Sequence, residues 1–345
     1  MATSNTVFLI GVGFIGGEVL DFLLEAGYNV TALVRRENHA SELKALGVQP
    51  LMGSLEDKDI LIEQAKIHDI VVHTATADDL PSVEAVLEGI KQRAASGRSS
   101  IYIHTSGCSE LCDYSNGAFR SEVIFEDDKP KDIDALSHDA PHREVDLAIL
   151  KARQELGEKA KIAIVLPPVI YGVSSRAKRL SIQLPTLTRF AIKHGFAGHV
   201  GKGLPVWSHV HVKDLARAYL TILQWLQSSA SNDIYNNPYF FIENGTEFSW
   251  KECAIETGKA LQAIGKISDP EPREIPESLY GDIFGPYTTH VVGANARNRA
   301  NRLRKLGWSP QEKDTFASLR EDEIPIILQD EGPFTGYSAA VASGK

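Results

Sequence analysis

Val7-Phe8-Leu9-Ile10-Gly11-Val12-Gly13-Phe14-Ile15-Gly16 is the stretch on which the fold turns. An apolar run rich in strand formers leads straight into glycines spaced Gly-x-Gly-x-x-Gly, and an amphipathic segment follows to about residue 26. Two such glycines let a backbone turn and approach a pyrophosphate, and the third lets the helix pack closely on the strand. The helix N-terminus then faces the anion with its unpaired N–H groups. The stretch therefore reads as strand, phosphate-binding turn and helix, with Gly11, Gly13, Phe14, Ile15 and Gly16 at the cofactor.

Outward from it, the pattern repeats. Strands are expected at about 6–10, 28–34, 48–52, 69–74 and 100–105, with helices near 14–26, 39–46, 56–66 and 81–96. Gly27 and Gly47 fall just past two of those helices, where a left-handed residue is wanted. Alternating strand and helix of this kind predicts βαβ units and a parallel sheet: an α/β, doubly wound Rossmann fold. The second strand ends in Arg35-Arg36, where a carboxylate would grip the ribose 2′-hydroxyl of NAD. Guanidinium groups there suit the 2′-phosphate of NADP, so NADP is the expected cofactor; Glu37 leaves NAD open.

Composition narrows the class. At about 150 residues per domain, 345 residues make roughly two domains or one large α/β domain with insertions. The 43% hydrophobic and 23% charged fractions are those of an ordinary globular chain and exclude collagen-like, coiled-coil and disordered readings. A net charge of −9 lacks the positive field that nucleic acid or an anionic membrane would require. Cys108, Cys112 and Cys253 are too few for a disulfide framework and have no partners for a zinc site, so no metal is expected. No apolar run reaches the roughly 18 residues of a membrane helix. The first strand begins too early for a cleavable signal peptide to precede it, so the expected location is cytoplasmic and the sequons at Asn29 and Asn244 are read as chance.

Further motifs resemble the extended short-chain dehydrogenase/reductases, the group of the NAD-dependent epimerases and dehydratases. They are Gly11-Val-Gly-Phe-Ile-Gly16, Val71-Val-His-Thr-Ala75, Tyr102-Ile-His-Thr-Ser-Gly107, Leu166-Pro-Pro-Val-Ile-Tyr-Gly172, Val210-His-Val-Lys-Asp-Leu-Ala216 and Leu306-Gly-Trp-Ser-Pro310. Their order covers most of the chain. By this resemblance Arg35 and Arg36 meet the adenosine phosphate and Ser54 and Leu55 flank the adenine. His73, Thr74, Ala75, Thr105, Pro168, Val169 and Ile170 line the ribose and nicotinamide. The resemblance also implies a Rossmann core over 1–172, completed by parts of 205–242, and a smaller C-terminal substrate-binding lobe from 173–204 and 243–337. A disordered tail is expected at 338–345.

The family's Tyr-x-x-x-Lys dyad is missing. None of the 10 tyrosines has lysine four residues on, and on the expected helix the two positions are held by His142 and Asp146. Four residues apart, these share a helix face and suit a His–carboxylate pair for general acid–base work. Ser106, at about the family's Ser/Thr position, would hydrogen-bond a substrate oxygen. That helix is expected over 141–157, capped by Asp139, after an aperiodic segment from Leu111 to Ala140 that reads as a lid or disordered insertion. Later helices are expected near 181–194, 213–227, 248–264 and 295–306. Arg297, Arg299, Arg302, Arg304 and Lys305 would form a solvated face of the last.

His209 and His211 alternate along a strand and would turn one face toward a site or satisfy a structural turn; Asp214 reads as a helix-start charge. Leu184, Phe190, Phe196, Trp207 and Phe284 either point to a fairly apolar substrate or are ordinary core. The expected activity is an NADP-dependent reductase of a small carbonyl or imine-type molecule. An epimerase, isomerase or lyase with tightly held nucleotide is the alternative, and a non-catalytic NADP-binding sensor a further one. The expected partner is a small-molecule substrate, with a homodimer compatible and neither nucleic acid nor membrane involved.

Overall fold

The computed structural model describes residues 5–176, 178–229 and 233–329; the tail expected at 338–345 and the end of the second lobe at 330–337 lie outside them. The first third alternates strand and helix: β1 (Thr6–Ile10), α1 (Phe14–Glu25), β2 (Asn29–Val34), α2 (Glu37–Ala45), β3 (Gln49–Met52), α3 (Lys58–Ile67), β4 (Ile70–His73), α4 (Leu80–Ala95) and β5 (Ser100–Thr105). Then come β6 (Phe125–Glu126), α5 (Pro130–Asp134), α6 (Arg143–Leu156), β7 (Ala160–Leu166), β8 (Val169–Tyr171), α7 (Gln183–His194) and β9 (Gly198–His199). The remainder runs β10 (Val206–His211), α8 (Val212–Ser228), α9 (Asp233–Asn236), β11 (Tyr239–Phe241), β12 (Glu247–Ser249), α10 (Trp250–Ala263), β13 (Arg273–Glu274), α11 (Thr288–Gly293), β14 (Asn298–Arg299) and α12 (Asn301–Lys305).

Seven strands form a parallel sheet in the order β11-β7-β5-β4-β1-β2-β3. Its central strands are apolar on both faces, as a sheet covered by helices on each side requires. Val7, Phe8, Leu9 and Ile10 are all fully buried. Right-handed crossovers place α1 and α8 together on one face and the row α3, α4 and α6 on the other. The chain reverses direction across the sheet between β1 and β4, and ligands of such sheets bind in the crevice beyond the strand ends there.

The chain returns to this sheet late, through α8 and β11. β10 instead lies between β8 and β12 in a separate three-stranded sheet. Gly27 and Gly47 take the left-handed conformation (φ +80° and +83°).

Four local expectations fail for identifiable reasons. The segment from Leu111 to Ala140 is ordered, not a disordered insertion: it holds β6 and α5, and its acids accept bonds from distant backbone. The Asp113 carboxylate takes the Asn295 N–H and side-chain amide, and buried Asp127 takes the N–H groups of Phe241 and Arg302. No helix spans 295–306. Ala296 bridges to Trp207 and β14 pairs with β6 in parallel, leaving only the short α12. The basic run is solvated only at Arg304 and Lys305: Arg297 forks onto Glu247, and Arg302 lies over the Phe240 ring, its guanidinium carbon 4.0 Å from the centroid. The helix begin expected at Asp139 is displaced to α6, whose N-cap is His142.

Candidate active site

The glycine loop forms a cradle whose three glycines do different work. A Cβ on Gly11 (φ +95°) would lie 2.5 Å from the backbone of Ala75, and one on Gly16 would lie 1.9 Å from the Gly11 carbonyl oxygen and 2.4 Å from Thr74 Oγ1. Both therefore seal loop, helix and β4 together. Gly13 differs: its Cβ would meet only the Arg179 Nη1 atom, at 3.9 Å. Gly13 is also the N-cap of α1, with no side-chain cap and no acid in the first turn, so the helix keeps N–H donors for an anion. Phe14 and Ile15 open α1 half-buried behind them. This open, donor-rich floor fits the pyrophosphate of a dinucleotide.

Thr74 and Ala75 stand against that cradle, with Thr74 Oγ1 donating to the Gly11 carbonyl at 2.7 Å. Arg35 and Arg36 are exposed at the end of β2. Ser54 and Leu55 lie half-buried in the adjoining loop, which the Gly53 N–H fastens to the Val34 carbonyl at 2.9 Å; Ser54 is spent on Asp57, which takes its N–H and hydroxyl. Pro168 and Val169 are buried and Ile170 half-buried beyond β7.

Two of the proposed nucleotide contacts turn their side chains inward. The His73 ring is fully buried, 5.3 Å from the His104 ring, and burial depresses its pKa to about 4. Thr105 Oγ1 bonds the His73 carbonyl and the Tyr219 hydroxyl. Only backbone atoms of these residues can face a nucleotide.

His142 and Asp146 share no hydrogen bond, although the His142 charge acts on the Asp146 carboxyl. His142 takes a left-handed conformation (φ +67°, ψ −15°), which lifts its side chain off the helix face that Asp146 occupies. Its imidazole instead bridges two other loops: Nδ1 lies 2.6 Å from Asp78 Oδ1 and Nε2 lies 2.5 Å from Ser109 Oγ. Asp78 follows β4, and Ser109 sits in a 3-10 turn over Cys108–Leu111 just after β5. Gly107 leaves room for the ring, since a Cβ there would lie 3.1 Å from Nε2. Half-buried His290, on α11 of the second lobe, lies within electrostatic reach of His142; burial is the main cause that depresses its pKa.

Asp146 is wholly buried beside Ser106 and Glu110. Burial, reinforced for Glu110 by the Asp146 charge, holds both carboxyls above the usual carboxylate range. Arg143, 1% exposed, brings its Nη1 to 3.8 Å from Glu110 Oε2. Asp146, Glu110 and Arg143 thus form a buried charged cluster behind the site.

The strand histidines are structural. His209 Nδ1 lies 2.6 Å from Thr315 Oγ1, and His211 accepts the Lys213 N–H to cap α8. Asp214, at the start of α8, is buried and accepts the N–H groups of Gln311 and Glu312. Leu184, Phe190, Trp207 and Phe284 are core, so they carry no substrate preference. Among the described residues no group of three His, Cys, Asp or Glu is placed to hold a metal ion, and no helix is long and apolar enough to cross a membrane. The sequence reading missed Asp78, Ser109, His290 and Arg179, because no spacing links residues that belong to separate loops.

Residues 11–124 match a family model described as NAD(P)H-binding, and residues 139–236 one described as the NAD dependent epimerase/dehydratase family. The chain is 27% identical to the oxidase ucsJ of Acremonium sp over 97% of its length and 100% of the relative's. It is 28% identical to an uncharacterized protein of Schizosaccharomyces pombe, covering 92% and 98%. The UDP-glucose 4-epimerase of Thermotoga maritima superposes with a TM-score of 0.67 at 17% identity, over 94% of this chain and all of that one. The dTDP-glucose 4,6-dehydratase of Bacillus anthracis, solved with NAD, gives 0.64 at 14% identity, over 94% and 97%.

Proposed function

We propose that this chain, which carries NAD(P)H-binding and NAD dependent epimerase/dehydratase domains on the extended short-chain dehydrogenase/reductase fold, is an NADP-dependent oxidoreductase using His142 in place of the family's tyrosine. Its substrate is a small carbonyl or imine-type molecule. The observation that carries this reading is the hydrogen-bonded line Asp78–His142–Ser109 at the carboxyl ends of β4 and β5, one loop from the cradle.

Bound NADPH would supply the hydride, held by the glycine loop, Thr74 and Ala75, with Arg35 and Arg36 at its adenosine phosphate. Asp78 accepts the Nδ1–H of His142, which fixes the ring and aims Nε2 at Ser109. The Ser109 hydroxyl gives its proton to the substrate oxygen or nitrogen while a doubly protonated His142 returns one to Ser109 Oγ from Nε2, leaving the imidazole neutral with Nδ1–H still on Asp78. Asp78 thus replaces the lysine as the orienting group. The name of the Acremonium relative, an oxidase, agrees with redox chemistry, and the same groups serve the reverse direction.

The match over 139–236 favours a second reading, an isomerase that keeps its nucleotide. One experiment separates them: nicotinamide absorbance and products are followed across a panel of carbonyl and imine compounds. Net NADPH consumption supports the reductase, and product without net consumption supports the isomerase. Full activity in a His142→Ala protein that still binds NADPH would sink the role given to His142. Substituting Arg35 and Arg36 is expected to weaken NADPH far more than NADH; equal losses would overturn the NADP assignment.

A further inference from the structure

Arg179 lies on a short hairpin beyond β8 that no sequence motif marks. The hairpin is closed by a bridge between Val173 and Leu180, by the Ser174 N–H on the Arg179 carbonyl at 2.9 Å, and by the Arg179 N–H on Ser174 Oγ at 2.9 Å. It is strapped to the cofactor helix at two points. The Ser175 N–H and hydroxyl both donate to Glu18, a carboxylate only 3% exposed, and Arg176 pairs with Asp21 one helical turn further on. The backbone of Arg179 is thereby fixed across the N-terminal half of α1.

Its guanidinium reaches back over the glycine loop, 3.9 Å from where a Gly13 Cβ would stand, and its charge acts on His39 of α2 together with that of Arg36. Among the described residues it has no carboxylate partner. An arginine held over an uncapped helix N-terminus, near another arginine and without a counter-charge, is stable only in solvent or against an anion. Gly13 is the glycine whose missing side chain lets a pyrophosphate approach.

We propose that Arg179 is a cofactor-binding residue that closes over the pyrophosphate from the side opposite the glycine loop. The inference rests on the nucleotide-binding reading above and adds a contact that the glycine motif does not contain. It assigns Arg35 and Arg36 to the 2′-phosphate and Arg179 to the phosphates that NAD and NADP share. The anchored hairpin fixes the backbone of Arg179 over α1, while its exposed guanidinium becomes ordered only on the phosphates.

The test uses the full chain and equilibrium binding of NADPH, NADH and 2′-AMP. Arg179→Met is expected to raise the dissociation constants of NADPH and NADH alike, by about tenfold as befits one charge-assisted hydrogen bond, and to leave 2′-AMP unchanged. Arg36→Met is expected to weaken NADPH and 2′-AMP while sparing NADH. Glu18→Gln, which loosens the strap without touching the nucleotide, should reproduce part of the Arg179→Met loss. Wild-type affinity for both dinucleotides in Arg179→Met, with the Arg36 effect present, would overturn the inference and leave the NADP reading standing. A loss confined to NADPH and 2′-AMP would overturn the pyrophosphate assignment. Failure of the unaltered protein to bind either dinucleotide would overturn the reading and the inference together.

Discussion

His142 Nδ1 lies 2.6 Å from Asp78 Oδ1 although 64 positions separate them in the chain. The contact exists because the loops after β4 and β5 and the start of α6 converge at one end of the sheet. The left-handed backbone at His142 turns the ring away from its own helix. Left-handed non-glycine residues are uncommon, and this one sits at the expected reacting centre.

His142→Ala is expected to lower kcat by about 10²- to 10⁴-fold with NADPH affinity unchanged, the loss usual for a general acid. Asp78→Asn should lower kcat by a smaller factor, since it misorients the ring without removing it. Gly107→Ala should act in the same direction, because its Cβ would crowd the ring from 3.1 Å. Steady-state rates with nucleotide fluorescence titrations check all three.

Gly13→Ala and Gly16→Ala are expected to separate binding from folding. The Gly16 methyl would overlap the Gly11 carbonyl oxygen at 1.9 Å, so this variant should lose several degrees of Tm and bind no cofactor. The Gly13 methyl enters open space, so Tm should hold while NADPH affinity falls at least tenfold. Thermal denaturation with and without NADPH reads both.

Buried neutral histidines make a pH prediction. Burial depresses His73 and His209 to about 4 against about 6.5 in the unfolded chain, so between these values the unfolded state binds more protons. Their contribution to stability is therefore present above pH 6.5 and is lost as pH falls toward 4, on the order of 2 kcal/mol each by pH 5. His73→Phe should flatten that acid slope; urea denaturation at pH 5 and pH 7 measures it.

Arg143→Met is expected to cost about 3–5 kcal/mol, because it strands Glu110 and Asp146 in the core without their cation. Chemical denaturation gives the value. A smaller loss at pH 5.5 than at pH 8 is expected, since burial pushes Asp146 up to about 6 and Glu110 up to about 10, so that Asp146 is the one that gains its proton between the two.

The local half of the fold was legible because it is written in local chemistry. Strand runs, glycines at helix ends and the Gly-x-Gly-x-x-Gly turn each act within a few residues, and β1 through β5 lie within a residue or two of where periodicity puts them. The failures share one cause. Residues 295–306 have a helix-compatible composition, yet Ala296 and β14 are drawn into pairing with Trp207 and β6. Arg297 and Arg302 look like solvent charges until Glu247 and Phe240 are brought beside them.

At the site the division is the same. Residue identity at short spacing was enough for the parallel α/β sheet, the glycine loop and the arginines at the end of β2. Only the tertiary structure decided that His142 answers to Asp78 and Ser109 rather than Asp146, that Asp146 belongs to a buried acid cluster, and that Arg179 stands over Gly13. Those relations depend on loops from distant strands meeting at one sheet edge and on a single positive φ. A side chain's partner in space is fixed by packing, and no spacing along the chain encodes it.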